Sequence, residues 1–342
     1  MNLIEMLNTI RDNATADYQE RIPEATRNNL EDIRYAMIDD NNIVVANEFM
    51  STLLNKLVKS AVLTKRFNNP LKGLKKGNKP LGDAVEEIYN NFLKGEEYDA
   101  TGAKLLERKL PDTKTVYHRM NYKMKYPITV NRDILSKAFA SYDALEKYIT
   151  DLINTLYNSA EFDEYKNTLQ LIKSALDKNA MKKINIADPL ISEANAKEFI
   201  KTVKVTSGLM VFPSEEHNAY LTAQSVDKKP IKTFSRKSEQ ILIIDTATDT
   251  TVNVDVLASI FNMSVAEFND TRKIVIDVFP DPTVRAVLVD EAFFQIYDDL
   301  YTVASFYNGD GLYTNYFLHV WQTLAYSILV NAVAFVVPEE TV

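Results

Sequence analysis

Apolar positions recur along this chain in two periods, and the change from one to the other marks out its elements. Residues 44 to 66 place Phe49, Leu53, Leu57 and Ala61 on one stripe, with Met50, Leu54, Val58 and Val62 beside it, which predicts a core-facing helix that stops near Phe67. Between Ile128 and Asp188 there is neither glycine nor proline. Here Leu145, Ile149, Leu152, Leu156 and Ala160 form a stripe, continued after a polar interval by Tyr165, Leu169, Ile172 and Leu176. This predicts a helix ending near Asp177, about 50 Å long at 1.5 Å per residue. Ser141 or Asp143 is its expected cap, with Glu146 in capping-box position to Asp143. Sustained e and g charge pairing is missing, so a coiled coil is not expected.

Elsewhere the period is two. TVYHRMNYKMKYPITV (115–130) sets Tyr122, Met124 and Tyr126 against Lys123 and Lys125 and predicts one long strand. Its expected partner is AVEEIYNNFL (84–93). KKINIADP (182–189) reads as a further strand, and about 191–300 mixes helix and strand patterns. From Gly311 to Val337 no residue is charged. That run is long enough to span a bilayer. It carries Asn315, His319, Gln322 and Asn331, is rich in Tyr, Phe, Trp and Val, and has no flanking Lys or Arg, so two successive buried strands are expected instead.

Five of the eight glycines fall between positions 73 and 102, so residues 68–102 read as a pliable excursion between better ordered elements. With its return strand it forms an extended two-stranded arm of roughly fifty residues, a construction only marginally stable alone. Such an arm needs a surface, expected to belong to another molecule. Its charge is segregated: Lys72, Lys75, Lys76 and Lys79 lead, and Asp83, Glu86, Glu87, Glu96, Glu97 and Asp99 follow, with Lys94 the one basic residue among them. The lysines and Glu86, Glu87, Glu96 and Glu97 are therefore the candidate inter-subunit contacts. PLKGLKKGNKPLG is not a P-loop, because Gly73 and Gly77 have the wrong spacing and Pro80 follows Lys79. A nucleic-acid contact through the lysines is a second reading.

The totals narrow the class. In 342 residues, 46% hydrophobic and 25% charged, there is ample material for a core. The net charge of -8 repels duplex nucleic acid except at a local basic patch. Cysteine is absent, which excludes disulfides, thiolate nucleophiles and thiolate metal sites. MNLIEMLNTIRDN lacks a basic segment followed by an apolar run, so no secretion signal is expected.

Three apolar runs end in aspartate: LIID at Asp245, IVID at Asp277 and VLVD at Asp290. Carboxylates at strand tips raise a metal-dependent hydrolase as the alternative function, with Asp281 as a further ligand. Against it, Asp290 before Glu291, Ala292 and Phe293 fits a helix N-cap, Asp281 between two prolines fits a turn, and no catalytic motif is present. The histidines are lone: His118 is expected exposed on the arm strand, His217 in a polar loop and His319 hydrogen-bonded in the core. Trp321, with Tyr313, Tyr316, Phe317 and Tyr326, is expected in the core rather than on a stacking platform. No enzyme, cofactor or metal is expected.

NNPLKGLKKGNKPLGDAVEEIYNNF, LYNSAEFDEY, VDVLASIFNM, AVLVDEAFFQIYDDLY and GLYTNYFLHVWQTL, in that order, closely resemble the major capsid protein of phi29-like podophages, over about residues 22–337. The resemblance implies an α+β fold of the Hong Kong 97 type. It implies an amino-terminal arm and helix at 1–67, an extended loop at 68–127 and a peripheral domain with a spine helix at 128–192. An axial domain at 193–299 and a return to the peripheral domain at 300–342 follow. It further implies self-assembly of hexamers and pentamers into an icosahedral or prolate shell around double-stranded DNA, with a portal protein as partner. DNA is met only by non-specific proximity, and no membrane is involved. The chain would work in the virion after assembly in the host cytoplasm. An immunoglobulin-like domain, carried by some members, is not expected after Val337, and a separate scaffolding protein is expected because the amino terminus is short.

Overall fold

The computed structural model describes residues 3–38, 43–56, 67–98, 100–101, 106–139, 141–223, 229–252 and 272–338. In chain order these hold α1 (Leu3–Asn13), α2 (Ala16–Arg21), α3 (Leu30–Ile38), α4 (Ile43–Lys56), β1 (Lys75–Asn78), β2 (Val85–Asn90), β3 (Thr113–His118), β4 (Tyr122–Asn131), α5 (Arg132–Ala138) and α6 (Tyr142–Asp177). There follow β5 (Lys182–Asn185), α7 (Glu193–Leu209), β6 (Gln240–Asp245), α8 (Thr246–Thr251), β7 (Lys273–Ile276), β8 (Val284–Asp290), β9 (Phe294–Asn308), β10 (Tyr313–Tyr326) and β11 (Ala332–Val336). The chain divides into two compact units, Met1–Asn69 with Asn121–Glu164 and Asp298–Gln322, and Pro70–Met120 with Tyr165–Tyr297 and Thr323–Val342.

In the first unit, β10 pairs antiparallel with β4 from Tyr313 opposite Asn131 to Gln322 opposite Tyr122. Strict alternation sends Tyr316, Leu318 and Val320 inward, where they meet Leu3, Met6 and Ile10 of α1, Phe49 and Leu53 of α4, and Leu145, Ile149, Leu152 and Leu156 of α6. The expected helix at 44–66 is thus α4, whose continuation past Lys56 lies outside the described residues. At the start of α6, Ser141 Oγ accepts from the Ala144 N–H at 3.2 Å, so Ser141 caps the helix rather than Asp143 with Glu146.

The second unit is a five-stranded sheet, ordered β5-β11-β8-β6-β7, between two helical layers. Ile241, Ile243, Val287, Val289 and Ala334 face Ile172, Ala175 and Leu176 of α6. Their neighbours Leu242, Ile244, Ala286, Leu288 and Phe335 face Phe199 and Val203 of α7. Cover on both faces is why LIID and its counterparts read as continuous apolar runs instead of alternating ones. β11 sits between β5 and β8, parallel to the first and antiparallel to the second.

Two expectations change. The strand expected over 115–130 is broken at residues 119–121 into β3 and β4, and only β3 pairs with β2. The uncharged run 311–337 does form two strands, β10 and β11, but they join different sheets. Among the described residues no helix is long and apolar enough to cross a membrane.

Phe335 is fully buried and packs edge-on against Phe199 at 5.8 Å. Phe335→Ala is expected to cost about 3–5 kcal/mol of stability, read from thermal and urea unfolding.

Candidate functional site

The arm is built on a ribbon in which Val85 pairs His118, Glu87 pairs Val116 and Tyr89 pairs Lys114, through to Asn90 opposite Thr113. Period two gives it two faces. Val85, Glu87 and Tyr89 turn inward with Lys114, Val116 and His118, while Glu86, Ile88 and Asn90 turn out with Thr113, Thr115 and Tyr117. The inner face lies on the chain's own second unit: Tyr89 and Val116 pack on Tyr220, Ile231 and Leu329. Tyr89 donates its hydroxyl to the Lys232 carbonyl, and Asn91 Nδ2 donates to the Pro230 carbonyl at 3.0 Å. The surface at the root of the arm therefore belongs to the same molecule, contrary to the expectation that another chain supplies it.

Beyond the root the side chains face solvent. Leu93, Tyr98, Leu106 and Leu110 are 79%, 94%, 92% and 85% exposed. At the lysine end, Gly77 and Gly82 hold φ of 130° and 94°, which requires glycine, and the Asp83 N–H donates to the Pro80 carbonyl in the turn. Lys76 Nζ donates to the Glu291 carbonyl at 2.6 Å, and Lys79 Nζ to the Asp83 carbonyl. Lys72 opens the single turn Lys72–Leu74, and Lys75 is the first residue of β1. On the acidic side, Glu86 accepts from the Tyr117 hydroxyl at 2.7 Å and Glu96 is paired with Lys109. Glu97 is exposed. Glu87 is half-buried, its carboxylate between His118 Nε2 at 2.7 Å and Gln295 Nε2 at 2.8 Å.

The aspartates do not converge. β6 and β7 are parallel, with Asp245 opposite Ile276, so Asp245 and Asp277 leave the sheet at one end. β8 is antiparallel to β6 and puts Asp290 opposite Gln240, at the other end, about 17 Å away along the strand. Each is used locally. Asp245 caps α8 through the Thr248 N–H at 2.6 Å, and Asp277 accepts from the Tyr165 hydroxyl and from the Val278 N–H. Asp281 accepts from the Thr283 N–H in a turn, as expected. Asp290 accepts from the Ala292 N–H at 2.8 Å, but a turn into β9 follows rather than the expected helix. Among the described residues no group of three His, Asp or Glu side chains is placed to hold a metal ion.

Tyr316 lies in the core as expected, but the readings of Trp321 and of the histidines change. His118 is buried against Glu87, not exposed. His217 is buried beside Ser214 Oγ at 3.2 Å, and burial lowers its pKa. His319 and Trp321 are only half-buried, on the outward face of β10, edge-on to each other at 6.4 Å. The Lys123 ammonium sits 4.7 Å above the Trp321 ring and that of Lys125 5.4 Å above Phe317. These lysine stems shield the rings from water, an arrangement the alternation of β4 and β10 implied once their pairing was known.

An α/β/α layer in one unit and a helix-backed sheet in the other, linked in sequence by one long helix, together with an exposed arm, define a shell-forming subunit of the Hong Kong 97 type. The solved capsid of Staphylococcus phage Andhra is similar over 82% of this chain and 87% of that one, with TM-score 0.65 at 14% identity. The mature capsid of bacteriophage PhiM1 is similar over 82% and 89%, with TM-score 0.50 at 12% identity. The description "Phi29-like phage major capsid protein" matches residues 7–336, and the chain belongs to that family. It is 35% identical to the major capsid protein of Bacillus phage PZA over 97% of its own length and 72% of that protein's. For the major capsid protein of Bacillus phage B103 the figures are 34%, 98% and 73%. The chain is thus a major capsid protein of a tailed phage, a structural component of the virion and not an enzyme.

Asp245→Ala is expected to cost about 1 kcal/mol through loss of the cap, with Mg²⁺ leaving the melting temperature of both proteins unchanged; a Mg²⁺-dependent rise in the parent alone would restore the metal reading. Burial raises the pKa of Asp290, helped by Glu239 and Glu291. Its proton is then held more tightly folded than unfolded, so this group favours the fold increasingly as pH falls through the folded pKa and opposes it above. Asp290→Asn, which keeps the acceptor for Ala292, is expected to raise the melting temperature at pH 7 and to lose that advantage in acid. Asp188 has the opposite sign: hydrogen bonds from Arg285 at 2.9–3.1 Å lower its pKa, so its contribution is present at neutral pH and is lost as pH falls through the lowered value.

Proposed function

We propose that this subunit closes a shell by laying the tip of its arm on a neighbouring copy. The observation that carries this reading is the set of large apolar side chains at the tip, Leu93, Tyr98, Leu106 and Leu110, which stand exposed among the described residues. Burying one such side chain fully is worth about 1.5–3 kcal/mol, and the gain repeats at every equivalent contact of a closed assembly. Lys72, Lys75, Lys76 and Lys79 form the basic end, and Glu86, Glu96 and Glu97 the acidic end, of a strip that pairs head to tail with its own kind. Glu87 is held within its own chain and adds to the strip only through the position it gives the ribbon.

On this reading residues 1–67 are the amino-terminal arm and helix, 68–127 the extended loop, 128–192 the peripheral domain with its spine helix, 193–299 the axial domain and 300–342 the return to the peripheral domain. The five-stranded sheet supports an axial body larger than 193–299, because β5 and β11 also belong to it. Hexamers and pentamers of this chain make an icosahedral or prolate head, assembled in the host cytoplasm with a separate scaffolding protein and closed at a portal protein. The net charge of -8 supports a wall that meets packaged double-stranded DNA without gripping its phosphates.

Tyr98→Ser with Leu106→Ser is expected to lower the yield of closed particles at least about tenfold while the melting temperature moves little, as exposed substitutions do. Reversing Lys72, Lys75, Lys76 and Lys79 to Glu is expected to do the same. Negative-stain microscopy and sedimentation read both, and normal particles from the first variant would remove the arm from the contact.

A further inference from the structure

We infer that Glu87, Gln295 and His118 form a clamp that fixes the direction in which the arm leaves its own subunit. A two-stranded ribbon has hydrogen bonds on one side of each strand only, so its pairing settles its register but not its angle to the body. That angle is set by what the inner face touches. Glu87 stands in the middle of β2, and its two oxygens are divided: Oε2 meets His118 on the sister strand at 2.7 Å, and Oε1 accepts from Gln295 on β9 at 2.8 Å.

Gln295 is itself held fast. It is buried, its Nε2 also donates to the Ala292 carbonyl at 2.8 Å, and its Oε1 accepts from the Tyr297 hydroxyl at 2.8 Å. One carboxylate therefore ties both strands of the ribbon to a fixed point on β9. A half-buried carboxylate deprived of a donor is disfavoured, so the ribbon gains by returning to this one position. The other root contacts each hold one side of the ribbon: Tyr89 of β2 to the Lys232 carbonyl, Asn91 just after it to the Pro230 carbonyl, and the Lys114 ammonium of β3 6.0 Å above the Tyr220 ring. Past Asn91 the side chains turn to solvent, so a change of angle at the root becomes a displacement of the tip. These three are positioning residues, and their bearing on assembly rests on the arm contact proposed above.

Hydrogen exchange of the full-length chain, read by mass spectrometry over residues 85–90 and 113–118, tests the clamp. Gln295→Leu is expected to speed exchange there about tenfold, leaving β6, β8 and β11 unchanged. Gln295→Lys, which restores a donor facing Glu87, is expected to keep exchange near that of the parent. Unchanged exchange in Gln295→Leu, or an equal rise in both variants, overturns the clamp. If Gln295→Leu does not fold, Glu87→Leu read over residues 113–118 takes its place with the same expected rise, and no rise there overturns the clamp. Particle yield from the same cells separates the two proposals: faster exchange with a full yield supports the clamp and overturns the arm contact, whereas faster exchange with a reduced yield supports both.

Discussion

One uninterrupted helix supplies a packing stripe to each of two cores, and the rest of the molecule is arranged on that supply. α6 runs for 36 residues without glycine or proline. Its first stripe, from Leu145 to Ala160, closes the core of the first unit, and its second, from Tyr165 to Leu176, closes one face of the five-stranded sheet. Between the stripes the helix turns polar at Asp163 and Glu164, where burial demands partners. Tyr126 donates to Asp163 at 2.9 Å, and Gln322 to Glu164 at 2.9 Å. A break anywhere in this helix would deprive one of the two cores of a wall, which accounts for the exclusion of helix-breaking residues from the stretch.

The arm obeys the opposite constraint. Glycines and prolines gather at its start because the backbone must turn there twice, and Gly77 and Gly82 take angles that side-chain-bearing residues avoid. Its root is nevertheless ordered by its own body, since the alternating inner face has a hydrophobic patch and three polar anchors beneath it. The division between docked root and bare tip separates two requirements. A root anchored in the monomer removes much of the ordering entropy that a wholly flexible arm would lose on association, and an uncovered tip keeps its apolar surface for that event.

How much of this was legible follows from the range of the interactions involved. Periodicity is local, so α6 is legible to its ends, and the pairing of β2 with a strand at 115–130 is legible for the part that β3 occupies. α1 is equally legible, with Leu3, Met6, Leu7 and Ile10 at helical spacing. What could not be read was pairing. The break at residues 119–121 carries neither glycine nor proline, and it transfers β4 to a different sheet, so Lys123 and Lys125 come to rest on Trp321 and Phe317 instead of lining the arm. The same holds for the three aspartates. Whether LIID and VLVD end together depends on strand direction, which no local pattern encodes, and the antiparallel pairing of β6 and β8 separates them by a strand's length. His118 and Glu87 were both visible as arm residues, but the inner face was mistaken for an open one because the covering surface comes from residues 220–329.

On the arm contact proposed above, the exposed tip also accounts for a shell, rather than a dimer, as the form such a subunit supports. Four large side chains give at most about 6–12 kcal/mol if each is fully buried. Bringing two free subunits together costs an estimated 4–15 kcal/mol before any gain shows. A single arm contact is therefore near balance, and an isolated pair would exchange readily. On the contact proposed above, every subunit of a closed assembly both gives an arm and receives one, so the last subunit gains two contacts for one loss of freedom. Individually weak arms let misplaced subunits leave during growth, while closure makes the finished shell persistent. That combination needs a tip that is apolar but small, on a subunit whose net negative charge discourages other association, and Leu93, Tyr98, Leu106 and Leu110 on a chain of net charge -8 have that character.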